Sequence, residues 1–180
     1  MNKKSGHGVL ISACLLGLKC NYRRQDSPRW EADFKKIIEP VLKAGFFFVP
    51  VCPEQLGGLP TPRHPSELTK NASEILAAKG RVVTREMQDV TDFFINGAKE
   101  TLLIAQRLSL KLAVLKEKSP SCGSKVIHSG SFEGKLTPGE GITSYLLRIN
   151  NIKIFNDEDF IEIFKSRDWR NILRQLLRPC

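Results

Sequence analysis

The sequence predicts an α/β protein: a single domain with an open, mostly parallel sheet flanked by helices. Two observations carry this. Short apolar runs of strand length alternate with longer segments of helical periodicity, the order in which a parallel sheet and its crossover helices are laid down. A chain of 180 residues with no repeat and no interdomain linker suits one domain. With 41% hydrophobic and 26% charged residues it has material for a core, and collagen-like, disordered and low-complexity classes are excluded.

Residues 9–14 read as the first buried strand. Phe34, Ile37, Ile38, Val41 and Leu42 follow at helical spacing and stop at Gly45, and Pro40 predicts a kink or a second helical segment. Residues 46–51 are the second strand, 53–65 a loop rich in Pro and Gly, 73–78 a short helix and 81–84 a short strand. Asp89 is expected to cap a long helix with Val90, Phe93, Phe94, Gly97, Ile104, Ala105 and Leu108 on one apolar face. Gly97-Ala98 should let that helix lie close to the sheet. Residues 112–115 form a buried strand, 126–136 a hairpin, 142–147 the opening of a helix and 152–155 the last strand. The expected organisation is a tail of residues 1–8, an α/β domain of 9–157 and a basic helical extension of 158–180 packed on the same domain.

Twenty-eight Lys and Arg against nineteen Asp and Glu leave a charge of +9, which favours anionic partners without naming one. No stretch reaches the roughly 20 apolar residues of a membrane span. Residues 9–18 follow Lys3 and Lys4 and have signal-peptide length, but Gly17 interrupts them and no small-residue cleavage site follows. A cytoplasmic protein is expected.

Five cysteines, an odd number scattered singly, argue against a disulfide framework and for thiols that bind or react. Cys14 ends the first strand, Cys52 lies just past the second, and Cys122 sits in the loop after residues 112–115. Ligands of an open parallel sheet bind at the carboxyl ends of its strands, so these three can converge. Each alone reads as a small buried hydrophobe, but the three together read as one site. On the residues alone both zinc and an iron-sulfur cluster stay open, as does a non-catalytic metal-binding or sulfur-carrying protein associated with RNA. The lack of any C-x-x-C pair counts against zinc ribbons and ferredoxin-like carriers.

Five blocks carry a resemblance. Ser12-Ala13-Cys14-Leu15-Leu16-Gly17 with Cys20 comes first, then Cys52-Pro53-Glu54 with Gly57-Gly58-Leu59 and Pro62-Arg63-x-Pro65. Asp89-Val90-Thr91 with Gly97-Ala98 follows, then Leu115-Lys116 and Ser119-Pro120-Ser121-Cys122-Gly123. In order and spacing these resemble the bacterial thiouracil desulfurase family from about residue 9 to 155. The resemblance implies a Rossmann-like domain and a 4Fe-4S cluster on Cys14, Cys52 and Cys122 with one open iron. It also implies replacement of sulfur by oxygen in a thiolated pyrimidine base or nucleotide, releasing hydrosulfide. Glu54 would activate water, and Ser119 or Ser121 would donate a hydrogen bond or relay a proton. After Cys20 the family commonly reads Arg-Tyr-Asp-Gly, whereas this chain has Asn21-Tyr22-Arg23-Arg24-Gln25-Asp26, turning an acidic loop basic.

Cys20, six residues beyond Cys14, is expected to be dispensable, and Cys180 to be exposed and incidental. His7, His64 and His128 show no metal spacing. Arg167, Arg170, Arg174 and Arg178 recur at helical spacing. Such a stripe is by default a solvated face; the functional alternative is RNA contact through this basic C-terminal helix.

Overall fold

The computed structural model describes residues 7–25 and 28–176, with the backbone alone for residues 28–35. The first half runs β1 (His7–Ser12), α1 (Pro28–Lys43), β2 (Phe46–Val51), α2 (Pro53–Leu56), β3 (Ser66–Leu68), α3 (Ala72–Leu76), β4 (Val82–Thr84) and α4 (Thr91–Arg107). The second half runs β5 (Leu112–Leu115), β6 (Val126–His128), β7 (Leu136–Pro138), α5 (Ile142–Ile149), β8 (Lys153–Asn156), α6 (Asp157–Lys165) and α7 (Trp169–Leu176). Four parallel strands form the central sheet in the order β2-β1-β5-β8, and two antiparallel ribbons, β3-β4 and β6-β7, stand outside it. The expected α/β architecture is the one observed.

The sheet is covered on both faces, which is why its strands read as unbroken apolar runs. On β1, Val9 and Ile11 pack with Val41, Phe46, Phe160 and Leu173 on one face, while Leu10 joins Ala105 and Leu147 on the other. β5 divides likewise, Leu112 and Val114 to the first face, Ala113 and Leu115 to the second. A third apolar cluster, including Leu68, Ile75, Phe94, Ile127 and Ile142, mounts the ribbons on α4 and α5. Phe160 of α6 and Leu173 of α7 are fully buried, so the last two helices take part in the core. Among the described residues no helix is long and apolar enough to cross a membrane.

Several local expectations are corrected. α1 passes through Pro40 without a second segment, because Ile37 and Val41 on either side are both buried and their packing outweighs one lost backbone bond. Cys14 lies just beyond β1, in a single 3-10 turn, Ala13–Leu16, that Gly17 closes at φ 83°. The segment before residue 65 contains the short helix α2, and β3, too short to show a period, pairs with β4. On α4 the buried stripe is Phe94, Gly97, Ala98, Thr101 and Ala105, whereas Phe93 and Leu108 are 41% and 54% exposed. Val90 occupies the cap position, and Asp89 serves from one residue earlier by accepting the Thr91 N–H at 2.9 Å.

Gly97 faces α2 rather than the sheet. A Cβ there would stand 1.8 Å from the Pro53 carbonyl oxygen, and one at Gly57 would stand 1.9 Å from the Phe93 carbonyl oxygen. Backbone therefore meets backbone where α4 crosses the helix that follows Cys52. Helix propensity alone would make Gly97→Ala stabilising by about 0.8–1.0 kcal/mol. The collision reverses the sign: Gly97→Ala should cost about 1–3 kcal/mol and reduce the iron held after reconstitution, read from denaturation midpoints and iron content.

Candidate functional site

The loops after β1, β2 and β5 open on one cavity of about 600 Å³, within the range of small-molecule sites. Cys14, Cys52 and Cys122 line it together, at the carboxyl edge where the chain order reverses between β1 and β5. Glu54, Ser119 and Cys20 lie on the same wall. Cys20, expected to be dispensable, is nonetheless brought to the cavity and buried by the loop of residues 17–25. Cys180 and Arg178 lie outside the described residues.

Each cysteine is positioned differently. Cys52 caps α2, with Pro53 opening the helix, and this fixes the carboxylate of Glu54 beside the thiol: Cys52 Sγ lies 3.4 Å from Glu54 Oε2. Cys122 is gripped from both sides of its loop. The N–H groups opening α5 donate inward, Ile142 to the Pro120 carbonyl at 3.0 Å and Thr143 to that of Ser121 at 2.9 Å. Ser144 Oγ donates to the Cys122 carbonyl at 2.6 Å. On the other side the buried Glu117 carboxylate accepts from the N–H groups of Ser124, Lys125 and Val126 and from Ser124 Oγ, at 2.8–3.3 Å. The fully buried Asp157 then holds Glu117 by its N–H at 2.8 Å and Lys116 by its Nζ at 2.6 Å, while Ser12 Oγ accepts the Lys116 N–H at 3.0 Å.

Glu54 is the hub of the polar groups and is nine-tenths buried. Ser119 Oγ accepts the N–H groups of Ser121 and Cys122, both at 3.1 Å, which leaves its proton for Glu54 Oε1 at 3.5 Å. Ser121 is placed otherwise: its side chain is fully buried, its hydroxyl pairs with Thr143 Oγ1 at 3.1 Å, and the cavity lining does not include it. Arg63 reaches the same spot with a side chain only 9% exposed. Its Nη1 donates to the Cys20 carbonyl at 3.0 Å, and its Nη2 stands 3.8 Å from Glu54 Oε2 and 4.0 Å from Cys52 Sγ, a fixed positive charge among groups that become negative.

The surroundings of Cys20, Cys52 and Cys122 favour the neutral thiol. Interaction with Cys14 is the main cause pushing the Cys20 thiol up to about 12, against an opposing effect of Cys52 and with burial adding to the rise. Interaction with Cys20, burial and the Glu54 charge push Cys52 up further. Burial raises Cys122 well above its usual value, with Glu54 adding to it. Such thiols give up their protons to a cation, since metal binding is what stabilises buried thiolates. Among the described residues no three His, Cys, Asp or Glu side chains gather closely enough for a single metal ion. A cluster spreads its thiolates over separate irons and needs no convergence on one atom. A soft donor set of three cysteines from three strand ends therefore fits an iron-sulfur cluster.

Glu117 and Arg63 were assigned no role by sequence reasoning. The only signal for Glu117 was an acidic residue just ahead of a tight Ser-Pro-Ser-Cys-Gly turn. Burial opposes its charge, but the N–H groups of Val126 and Lys125 and both donors of Ser124 outweigh this and hold its carboxyl below the usual glutamate value of 4.5. A lowered folded value means the stabilisation is complete above about pH 4.5 and is lost as pH falls through the folded value. Glu117→Gln should cost about 2–3 kcal/mol at neutral pH and flatten the fall in melting temperature between pH 5 and 3, measured beside the wild type.

Arg167, Arg170 and Arg174 are exposed on and before α7, with Arg170 over the Trp169 ring at 5.3 Å. A solvated face and a phosphate-tracking one share this geometry.

Comparison with known proteins gives the family. The chain is 35% identical over 156 residues to the uncharacterized protein YbbK of Bacillus subtilis (strain 168), covering 86% of this chain and 99% of that protein. It is similar in structure to TudS, a 4Fe-4S-dependent thiouracil desulfidase, with a TM-score of 0.74, 33% sequence identity, and 95% of this chain and 99% of that one covered. The family model for 2-thiouracil desulfurase matches residues 9–159, which takes in Cys14, Cys52, Glu54, Ser119 and Cys122, and the chain belongs to that family.

Proposed function

We propose that this protein is an iron-sulfur-dependent desulfurase that replaces sulfur by oxygen in a thiolated pyrimidine, with Cys14, Cys52 and Cys122 as the cluster ligands. The observation that carries the reading is the gathering of three strand-end thiols, a buried carboxylate and a directed hydroxyl on one cavity wall. When bound, a 4Fe-4S cluster on three cysteines supplies one iron without a protein ligand, a Lewis acid for a thione sulfur.

The chain's own residues supply the rest. Glu54, anchored beside Cys52 by α2, holds a water at its carboxylate and takes its proton as the oxygen adds to the ring carbon. Ser119, with both acceptor positions occupied by backbone N–H groups, aims its proton at Glu54 and keeps the carboxylate oriented. The added hydroxyl passes its remaining proton to the sulfur as the carbon-sulfur bond breaks, so the oxo base forms and sulfur leaves as hydrosulfide with the electron pair of the bond and without net redox change. Because Ser121 is engaged with Thr143, Ser119 alone has the proton-handling role. The cavity also exposes Arg23, Arg85 and Lys118 along its lining, which suits the phosphate of a nucleotide as well as a free base. RNA contact through α7 rests on charge alone, and a base or nucleotide does not require it.

The test is anaerobic reconstitution with iron and sulfide, followed by hydrosulfide release from thiouracils and thiouridine monophosphates. Stoichiometric oxo product and hydrosulfide are expected, and an intact cluster that releases no hydrosulfide from any of them overturns the reading.

A further inference from the structure

The cavity has a second wall to which desulfuration assigns no task. Glu67, His128 and Phe132 line it, and they come from the two ribbons rather than from the parallel sheet. Glu67 is the middle residue of β3, His128 ends β6, and Phe132 lies in the turn between β6 and β7. Their neighbours Leu68 and Ile127 belong to one apolar cluster. Strand alternation therefore turns Glu67 and His128 to the opposite side, where the cavity lies.

Two polar groups on this wall have capacity for a further hydrogen bond. Glu67 is only 7% exposed, and its Oε2 accepts the Phe132 N–H at 3.1 Å. A carboxylate this buried is costly unless further donors reach it. His128 Nδ1 is buried with no hydrogen-bond partner, which leaves Nε2 as the nitrogen able to face the cavity. The wall is also rigid. Gly130, at φ 88°, presses the turn so closely on β3 that a Cβ would stand 2.7 Å from the Leu68 carbonyl oxygen, and Phe132 is held at φ 57° beside it.

We propose that Glu67, His128 and Phe132 receive and orient the sulfur-free part of the substrate. Phe132 offers its ring face to the base, Glu67 Oε1 accepts a hydrogen bond from a substrate N–H or hydroxyl, and His128, protonated on Nε2, donates to a substrate oxygen. Glu67 and His128 are specificity-determining residues: a buried acceptor left unpaired discriminates against analogues that lack the donor. The proposal rests on the thiopyrimidine reading. The donor is either a ring N–H of the base or a ribose hydroxyl, and the experiment separates the two.

The test uses the cluster-loaded protein with uracil and uridine, which keep that part of the substrate and carry no reactive sulfur. Binding is followed by calorimetry and by the nitrogen-15 signals of His128. Glu67→Gln retains an acceptor for the Phe132 N–H, and His128→Phe retains the ring. Each variant should weaken uridine binding by about tenfold or more with an unchanged melting temperature, and the loss with thiouridine should fall on KM rather than kcat. For Glu67→Gln, weakening confined to uridine assigns the ribose hydroxyl, and equal weakening for uracil assigns the ring N–H; either supports the proposal. Uridine binding within twofold of wild type in both variants overturns it, as does a wild type that binds neither ligand. A wild type that binds uridine through Glu67 and His128 yet releases no hydrosulfide from thiouridine refutes desulfuration while leaving this wall standing.

Discussion

Serine at Cys14, Cys52 or Cys122 should abolish iron retention and hydrosulfide release, whereas Cys20→Ser should keep both. The geometry makes this demanding, because all four thiols share the cavity and Cys20 interacts with two of the others. What separates Cys20 is its support. The three proposed ligands sit on loops that a strand end delivers, and Cys52 and Cys122 are further fixed by the cap of α2 and the grip of α5 and Glu117. Cys20 belongs to the segment 17–25, which no strand end delivers and which is tied by backbone bonds to Ala13 and Cys14, by Arg63 at the Cys20 and Tyr22 carbonyls, and by Cys52 Sγ at the Cys20 carbonyl. Iron quantitation and visible absorbance after anaerobic reconstitution decide it. Iron loss in Cys20→Ser equal to that in Cys14→Ser refutes a three-cysteine ligand set.

Glu54→Gln should lower kcat by about a hundredfold or more with the cluster intact, the scale of a lost general base. The amide keeps the shape and can still accept from Ser119, so iron content and melting temperature should match the wild type. What disappears is the site for the proton that water gives up. Ser119→Ala should fall less far, since it removes the group that orients Glu54 rather than the acceptor itself, and it also frees the Ser121 and Cys122 N–H groups. Near-wild-type turnover in Glu54→Gln with full iron would make Glu54 a structural residue.

The strands were legible because both faces of the sheet are covered. A run such as residues 112–115 has no polar alternative to confuse it. The meeting of Cys14, Cys52 and Cys122 was legible for a related reason: every strand in a parallel sheet ends at the same edge. The supports of the site were not. Glu117 depends on donors seven to nine residues ahead and is itself held by Asp157, forty residues away. Nothing in local spacing marks such a partner. Ser119 and Ser121 are equivalent in a linear reading, and only the path of the turn sends one hydroxyl to Glu54 and the other to Thr143. The role of Gly97 depended on which element α4 touches, and a glycine shows only that something comes close. The nearness of Cys20 to Cys14 and Cys52 was not legible, because six residues of loop along the chain do not say where the loop returns across the fold.

The reach of Asp157 also bears on how the protein is made. Its carboxylate secures Lys116 and Glu117 from the first residue of α6, just after β8 completes the sheet beside β5. Contacts so far apart in sequence form late in folding, after the loop entropy between them has been given up. The first 150 residues hold all three cysteines proposed as ligands and the α5 and Glu117 bonds around the Cys122 loop, but not the Asp157 carboxylate that holds Lys116 and Glu117 in turn. The final rigidity of the β5 end, from which the Cys122 loop departs, is thus set by a carboxylate of the C-terminal segment, and a substitution at Asp157 should be felt at Lys116 and Glu117.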